Sequence, residues 1–434
     1  MSEVTHHDAG DGLDQFIAVR RSEILAALTE QGAFASDEER DKLRVLSRTL
    51  TSICHYQYFD LLDRLRHDYY YFSPEVASHV PQDSAVIESA YADLLQSLDK
   101  VLKGANFSEL RQEEIEAAHR RRSVLRVAIR ASLDDFREVR LYGRGRHTEQ
   151  FEVNEWFGLR RRAIEVDVYD DVVLMVAMKS HAEINSRRKL RTLERRKIVP
   201  GSVLLKYFRN IASTDIRALF PNARVVMSNV DKLLLGVPAI AGGIPILLNL
   251  YATITVLFLV IGFYLGVSGA VQDKDMKTAL GALTGLVALG GFIVGQWVKY
   301  QRQSLKHQIE LTDNVYYRNI NNNAGIFDYI INAAENQASK GAMLAYHFLY
   351  MSPAALTAEE LDGRIEGWLY KTFGLELDFK VNDALTILDR FGLLRRQTGP
   401  EGDQLSVLPV DGALAQLQRV WSDYFPAKRL TAAE

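Results

Sequence analysis

Thr278-Ala-Leu-Gly-Ala-Leu-Thr-Gly-Leu-Val-Ala-Leu-Gly-Gly-Phe-Ile-Val-Gly-Gln-Trp-Val298 holds 21 residues without a charge. A second uncharged stretch precedes it, 40 residues between Lys232 and Asp273. A helix needs about 20 apolar residues to cross a hydrocarbon core of about 30 Å. The run at 278–298 therefore predicts one membrane-spanning helix. The earlier run is too long for one straight helix, and Pro238, Gly242-Gly243 and Pro245 break its front half. Proline suits the first turn of a helix, where its missing N–H costs nothing. The first span is accordingly placed at 245–266, with 233–244 interfacial or partly inserted. The short link, about Val267 to Lys277, makes the two an antiparallel hairpin. The alternative is a buried hairpin inside a large core.

Charge around these runs predicts an orientation. The link carries Asp273, Lys274, Asp275 and Lys277, which cancel, whereas Arg209, Arg217, Arg224 and Lys232 precede the hairpin and Lys299, Arg302 and Lys306 follow it. The positive-inside rule then places both termini in the cytoplasm or its equivalent. Met1 to Gly12 is polar and acidic, without the apolar core of a signal peptide. The prediction is a multi-pass, two-helix membrane protein with most of its mass on the inner face.

Small residues mark candidate helix-packing positions in the hairpin: Gly262 and Gly266, Gly281 and Gly285, Gly291 and Gly295. Such spacings let helix backbones approach closely, closing the hairpin and leaving a face for a possible homo-oligomer. Asn249 and Gln296 are placed to hydrogen-bond across it. Neither span contains an ionisable residue, which disfavours an ion-coupled pump. An oligomeric pore lined by Thr253, Thr255 or Thr284 stays open.

The whole chain has 434 residues, a net charge of −3 and one cysteine, Cys54. These values exclude a disulfide-stapled secreted domain and a mostly disordered chain. The mild net charge is a cancellation. Between His119 and Lys232 there are 25 Lys and Arg against 14 Asp and Glu. The densest basic run contains Arg187, Arg188, Lys189, Arg191, Arg195, Arg196 and Lys197. It reads as contact with anionic lipid headgroups or, equally, as salt bridging to the acidic amino-terminal helices. Nucleic acid is not an expected partner, since no aromatic-interleaved motif accompanies the charge.

The fold class expected is mainly α with a small α+β domain. Residues 13–146 read as a helical domain: Ser36-Asp-Glu-Glu39 is a capping box, a helix from Asp83 stops at Gly104, and another runs from about Ser108 to Tyr142. The aromatic cluster from Tyr56 to Phe72 reads as core or helix seam. Residues 147–232 read as a small basic α+β domain. There Ala163–Tyr169 alternates as a half-buried strand, Asp170-Asp171 turns, and Val172–Met178 is a buried strand. Phe151–Phe157 and Arg224–Met227 are further strand candidates. After the hairpin, 299–352 is a helical connector in which Asn319, Asn321, Asn322 and Asn323 predict a capped junction. A helix over 326–350, a second opened by the capping box Thr357-Ala-Glu-Glu360, a third and a hairpin follow the winged-helix order, so 353–425 reads as a winged-helix-like domain. The third helix, Val381–Phe391, offers Asp383 and Asp389 against Arg390. From Pro353 onward there are 13 acidic and 9 basic residues. Such a face repels phosphate, so this domain is expected to bind a protein partner.

Three stretches carry a resemblance: Leu219-Phe-Pro-Asn-Ala-Arg-Val225, Lys232 through Pro245, and Tyr316-Tyr-Arg-Asn-Ile-Asn-Asn-Asn-Ala-Gly325 followed by Ala342–Leu349. Their order between Pro200 and Leu349 resembles the uncharacterised membrane family that includes the animal mitochondrial transmembrane protein 143. The resemblance covers about a third of the chain. It implies membrane location and a helical carboxyl region, and brings no reaction. The acidic start lacks a mitochondrial presequence, so a prokaryotic plasma membrane is the expected site.

No catalytic, cofactor-binding or metal residues are assigned. There is no GxxxxGK[ST] and no HExxH, and Gly143-Arg-Gly145 lacks the strand–turn–helix setting of a nucleotide fingerprint. His347, on an apolar helix face, reads as a core histidine. The functional expectation is a membrane-anchored cytoplasmic scaffold or regulator. The alternatives are a small oligomeric channel or transport component, or an anionic-lipid-binding protein.

Overall fold

The computed structural model describes residues 14–32, 34, 36–76, 84–111, 128–131, 133–155, 160–181, 183–184, 186, 190–191, 193, 198–226, 258, 261–262, 265–266, 273–399 and 402–424. The protein is mainly α with a small antiparallel sheet. It divides into two compact units, one made of 1–118, 133–213 and 318–434, the other of 119–132 and 214–317.

In the first unit, α1 (Arg21–Gln31) and α2 (Asp37–Tyr69) precede α3 (Ser84–Gly104). Ser36 caps α2 by accepting from the Glu39 N–H at 3.2 Å. A five-stranded antiparallel sheet has the order β1 (Ser108–Glu109), β3 (Phe136–Glu155), β4 (Arg160–Met178), β5 (Val203–Ala212) and β7 (Asn319–Asn322). β2 (Ala128–Arg130) pairs separately with β6 (Arg224–Val226) in the second unit. That unit also carries nearly all of α4, a single helix from Asp273 to Arg318. The chain ends with α5 (Ile326–Met351), α6 (Ala358–Phe373), α7 (Val381–Arg390), the hairpin β8 (Leu394–Gly399) and β9 (Gly402–Val407), and α8 (Val410–Tyr424).

Two elements serve two cores. The first half of α5, with Ile326, Phe327, Ile330 and Ala334, packs in a cluster with α3 and the sheet. Its second half, Ala342–Leu349, packs in a cluster with α6, α7 and α8. α2 runs antiparallel to it: Leu43–Cys54 belong to the second cluster, and Leu65 and Tyr69 to the first. Each helix changes neighbours midway, and α5 is buried on every side from Ser339 to His347.

Several expectations are corrected here. Among the described residues no helix is long and apolar enough to cross a membrane. The predicted span 278–298 lies within α4, a single helix from Asp273 to Arg318 that carries charged residues on both sides of the stretch. The span at 245–266 lies outside the described residues except for Phe258, Ile261, Gly262, Leu265 and Gly266, and 233–244 lies wholly outside. The two-helix transmembrane hairpin, the integral and multi-pass membrane location with cytoplasmic termini, and the anchored-scaffold, channel and lipid-binding membrane readings that depended on it are set aside.

Two local readings also change. Ser108 to Tyr142 is not one helix: β1 and β3 occupy its two ends, because residues 136–142 pair with residues 173–178 of β4. Asp170-Asp171 does not turn, because β4 continues through it and Asp171 has cross-strand partners on both sides.

Candidate functional site

Among the described residues, a buried polar cluster lies where the two cores of the first unit meet. Strand register puts Arg144 of β3 opposite Asp171 of β4, and Asp171 opposite Arg209 of β5. Arg144 donates from Nε and Nη2 to Asp171 Oδ2 at 2.9 and 2.7 Å, and Arg209 Nε donates to Oδ1 at 3.2 Å. Arg144 and Asp171 are buried. A buried carboxylate needs such partners to stay ionised. The glycines on either side of Arg144 shape this row. A Cβ at Gly143 would lie 2.8 Å from the Tyr169 ring, and Gly145 has a left-handed φ of 68°. The Arg144 guanidinium also donates to the Ala105 carbonyl at 2.8 Å. It is sandwiched between Phe16 and Phe107, 4.3 and 4.6 Å from the ring centroids.

On α5, Gln337 and Lys340 are buried close to this row. The Lys340 ammonium donates to the Ile17 carbonyl at 3.0 Å. Burial, reinforced by Arg144 and Arg21, lowers its pKa to about 8. His347, about two turns further along, is buried against Phe34 and Phe348, with no hydrogen-bond partner for Nδ1. Burial pushes its pKa down to about 4. It is a core histidine, as its apolar helix face predicts, but its ring nitrogen is not satisfied.

A second cluster joins Asp362 and Glu366 of α6 to Asp378, with one carboxylate oxygen of each within 4.8 Å of the others. Two members are already engaged: Glu366 accepts from the Phe379 N–H, and Asp378 from Gln15 Nε2, both at 2.8 Å. Oδ1 of Asp362 is buried without a hydrogen-bond partner. Burial, then Glu366 and Asp378, raise the Asp362 pKa to about 6. An all-oxygen set of this kind suits a hard divalent cation, yet Glu366 already serves a backbone N–H and Asp378 the Gln15 amide.

The third feature is a surface. On α4, Leu280, Leu283, Val287, Val294 and Trp297 are exposed by 52–70%. With Gly290 they recur at alternating intervals of three and four residues. That is an a/d seam without a partner in the described structure. A Cβ built at Gly281, Gly290, Gly291 or Gly295 meets nothing within 4 Å, nor does one at Gly266. Gly262 and Gly285 are partly buried, and Asn249, proposed to pair with Gln296, lies outside the described residues. Of the basic run, Arg191 is exposed; Arg187, Arg188, Lys189, Arg195, Arg196 and Lys197 lie outside the described residues.

The buried cluster is missing from the sequence expectations. Its signals were present: Gly-Arg-Gly brackets an arginine in a strand, and Asp170-Asp171 interrupts an otherwise apolar run. Neither reveals its partner, because the register joining them is non-local.

A family model described as a protein of unknown function (DUF3754) matches residues 169–325. The match covers the second half of β4, then β5, β6, α4 and β7, including Asp171 and the α4 seam, and overlaps the stretch that carries the resemblance. It brings no activity. No solved structure matches the chain.

Proposed function

We propose that this protein is a self-associating interaction protein, with α4 pairing with α4 of a second copy. The exposed heptad seam Leu280, Leu283, Val287, Gly290, Val294 and Trp297 carries this reading. Fully burying each leucine or valine of the seam is worth about 1.5–3 kcal/mol. An apolar stripe of this length is disfavoured in water unless it is covered. A second copy presents the same seam, so the surface is self-complementary. Gly290, in the middle, lets the two backbones approach closely.

The carboxyl-terminal elements supply a partner-binding module. Helix α5, a single bridge between Leu356 and Leu405, α6, α7 and the β8–β9 hairpin follow the winged-helix order. The exposed positions of α7 are Asn382, Asp383, Thr386, Asp389 and Arg390. Arg390 is turned toward α2, with Nη1 3.4 Å from the Gln57 amide oxygen. Two carboxylates and one engaged arginine favour a protein partner with a basic segment over a phosphate backbone.

The deciding experiment is the mass of the purified full chain in solution, by sedimentation equilibrium. A dimer or higher oligomer is expected, and Val287→Asp with Val294→Asp should convert it to monomer with unchanged far-UV circular dichroism. A wild-type chain that stays monomeric at tens of micromolar overturns the proposal.

A further inference from the structure

Asp14 to Val19 crosses the junction between the two cores without joining a helix or the sheet. Side chains, rather than a backbone ladder, make most of its polar contacts. The Ile17 N–H donates to Gln337 Oε1 at 3.1 Å, and the Ile17 carbonyl accepts from Gln337 Nε2 at 3.2 Å and Lys340 Nζ at 3.0 Å. One glutamine thus reads both backbone groups of a single residue, as a strand neighbour would. Asn106 Nδ2 donates to the Gln15 carbonyl at 2.7 Å, and the Asp378 N–H donates to the Asp14 carbonyl at 3.1 Å.

The side chains are read as well. Asp14 accepts from the Arg146 N–H at 2.9 Å and folds its other oxygen back to the Phe16 N–H at 3.0 Å. Phe16 lies over the Arg144 guanidinium, and Ile17 is buried. Gln15 reaches Asp378. Ala18 and Arg20, by contrast, are exposed.

The walls of this groove are costly for a merely structural seam. Arg144, Gln337 and Lys340 are each buried by more than nine-tenths. An apolar seam of the same shape would be as stable or more so. Polar groups aimed at backbone N–H and C=O are how folded domains select an extended peptide. We propose that this groove is a recognition site for an extended peptide of Asp-x-Phe-Ile type, and that the chain's own Asp14–Ile17 is its displaceable resident ligand. Displacement would uncover Arg144, Gln337 and Lys340 together, linking the free or bound state of the strap to both cores.

The test uses the full chain with a protease site inserted at the exposed Arg20, cut after purification. A fluorescent peptide of residues 10–19 is then added in excess. Exchange of the label into the cut chain, at least tenfold weaker for Phe16→Ala or Asp14→Ala peptides and absent in the uncut chain, supports the site. A Gln337→Leu chain that keeps its circular dichroism should bind the wild-type peptide at least tenfold more weakly. A cut chain that stays folded and never exchanges its strap overturns the proposal. Loss of fold on peptide release does so too, since the strap is then a structural strand.

Discussion

The guanidinium of Arg144 and the carboxylate of Asp171 meet at 2.7 and 2.9 Å, directly opposite each other on neighbouring strands and sealed from solvent. Removing Asp171 leaves the buried Arg144 without a counter-charge, and removing Arg144 leaves Asp171 with the more exposed Arg209 alone; breaking such a pair costs about 3–5 kcal/mol. Arg144→Met and Asp171→Asn should each destabilise the chain by this amount in urea titrations. The double variant should lose less than the two single losses combined, with a coupling of about 0.5–3 kcal/mol. Strict additivity would show that the pair is not coupled.

His347 gives the protein an acid sensitivity of its own. Its folded-state pKa is lowered to about 4 from 6.5 by burial, so below pH 6.5 the unfolded chain binds the extra proton. Stability is therefore lost as pH falls from 6.5 to 4, by about 3 kcal/mol for this one group. His347→Phe should flatten that part of the pH profile measured by chemical denaturation. An unchanged slope would mean that the ring finds a partner when protonated.

The acidic cluster predicts the opposite sign. The Asp362 carboxyl is raised to about 6, first by burial and then by Glu366 and Asp378. The folded chain holds its proton longer, so this group's contribution falls as pH rises from about 4 to 6. Asp362→Asn should stabilise the chain at pH 7 by less than about 1 kcal/mol once solvent screening is allowed for, read as a higher thermal midpoint. Millimolar calcium should leave that variant's midpoint unmoved. A calcium-dependent rise in the wild type alone would identify a cation site.

What could be read from the sequence was mostly local. The Ser36 and Thr357 caps, the stop at Gly104 and the turn between β8 and β9 each depend on residues within four positions of one another. What could not be read depends on partners far along the chain. Residues 136–142 are rich in Arg, Glu and Leu, good helix formers, and only pairing with residues 173–178 makes them a strand. Asp171 looked like a turn residue until Arg144 and Arg209 stood beside it. The α4 stretch is a different case: it carries no charge, yet among the described residues no helix is long and apolar enough to cross a membrane.

Lys340 supplies the alkaline counterpart and a link to the strap. The groups that set its titration are Arg144 and Arg21, which lower its pKa along with burial, and Glu23, which opposes them. With a folded value of about 8 against 10.5, the unfolded chain binds more protons between these limits, so stability rises with pH through that window. The gain should reach about 2 kcal/mol by pH 9.5. Above pH 10 the buried hydroxyls of Tyr69, Tyr207 and Tyr346, whose pKa values are raised by burial, turn the curve down again. Lys340→Met should remove the rise between pH 8 and 9.5. It also takes one donor from the Ile17 carbonyl while Gln337 keeps the other. The strap of that variant should therefore remain bound at neutral pH but exchange faster by hydrogen–deuterium measurement at Ile17. Equal exchange rates in the two chains would assign the carbonyl's hold to Gln337 alone.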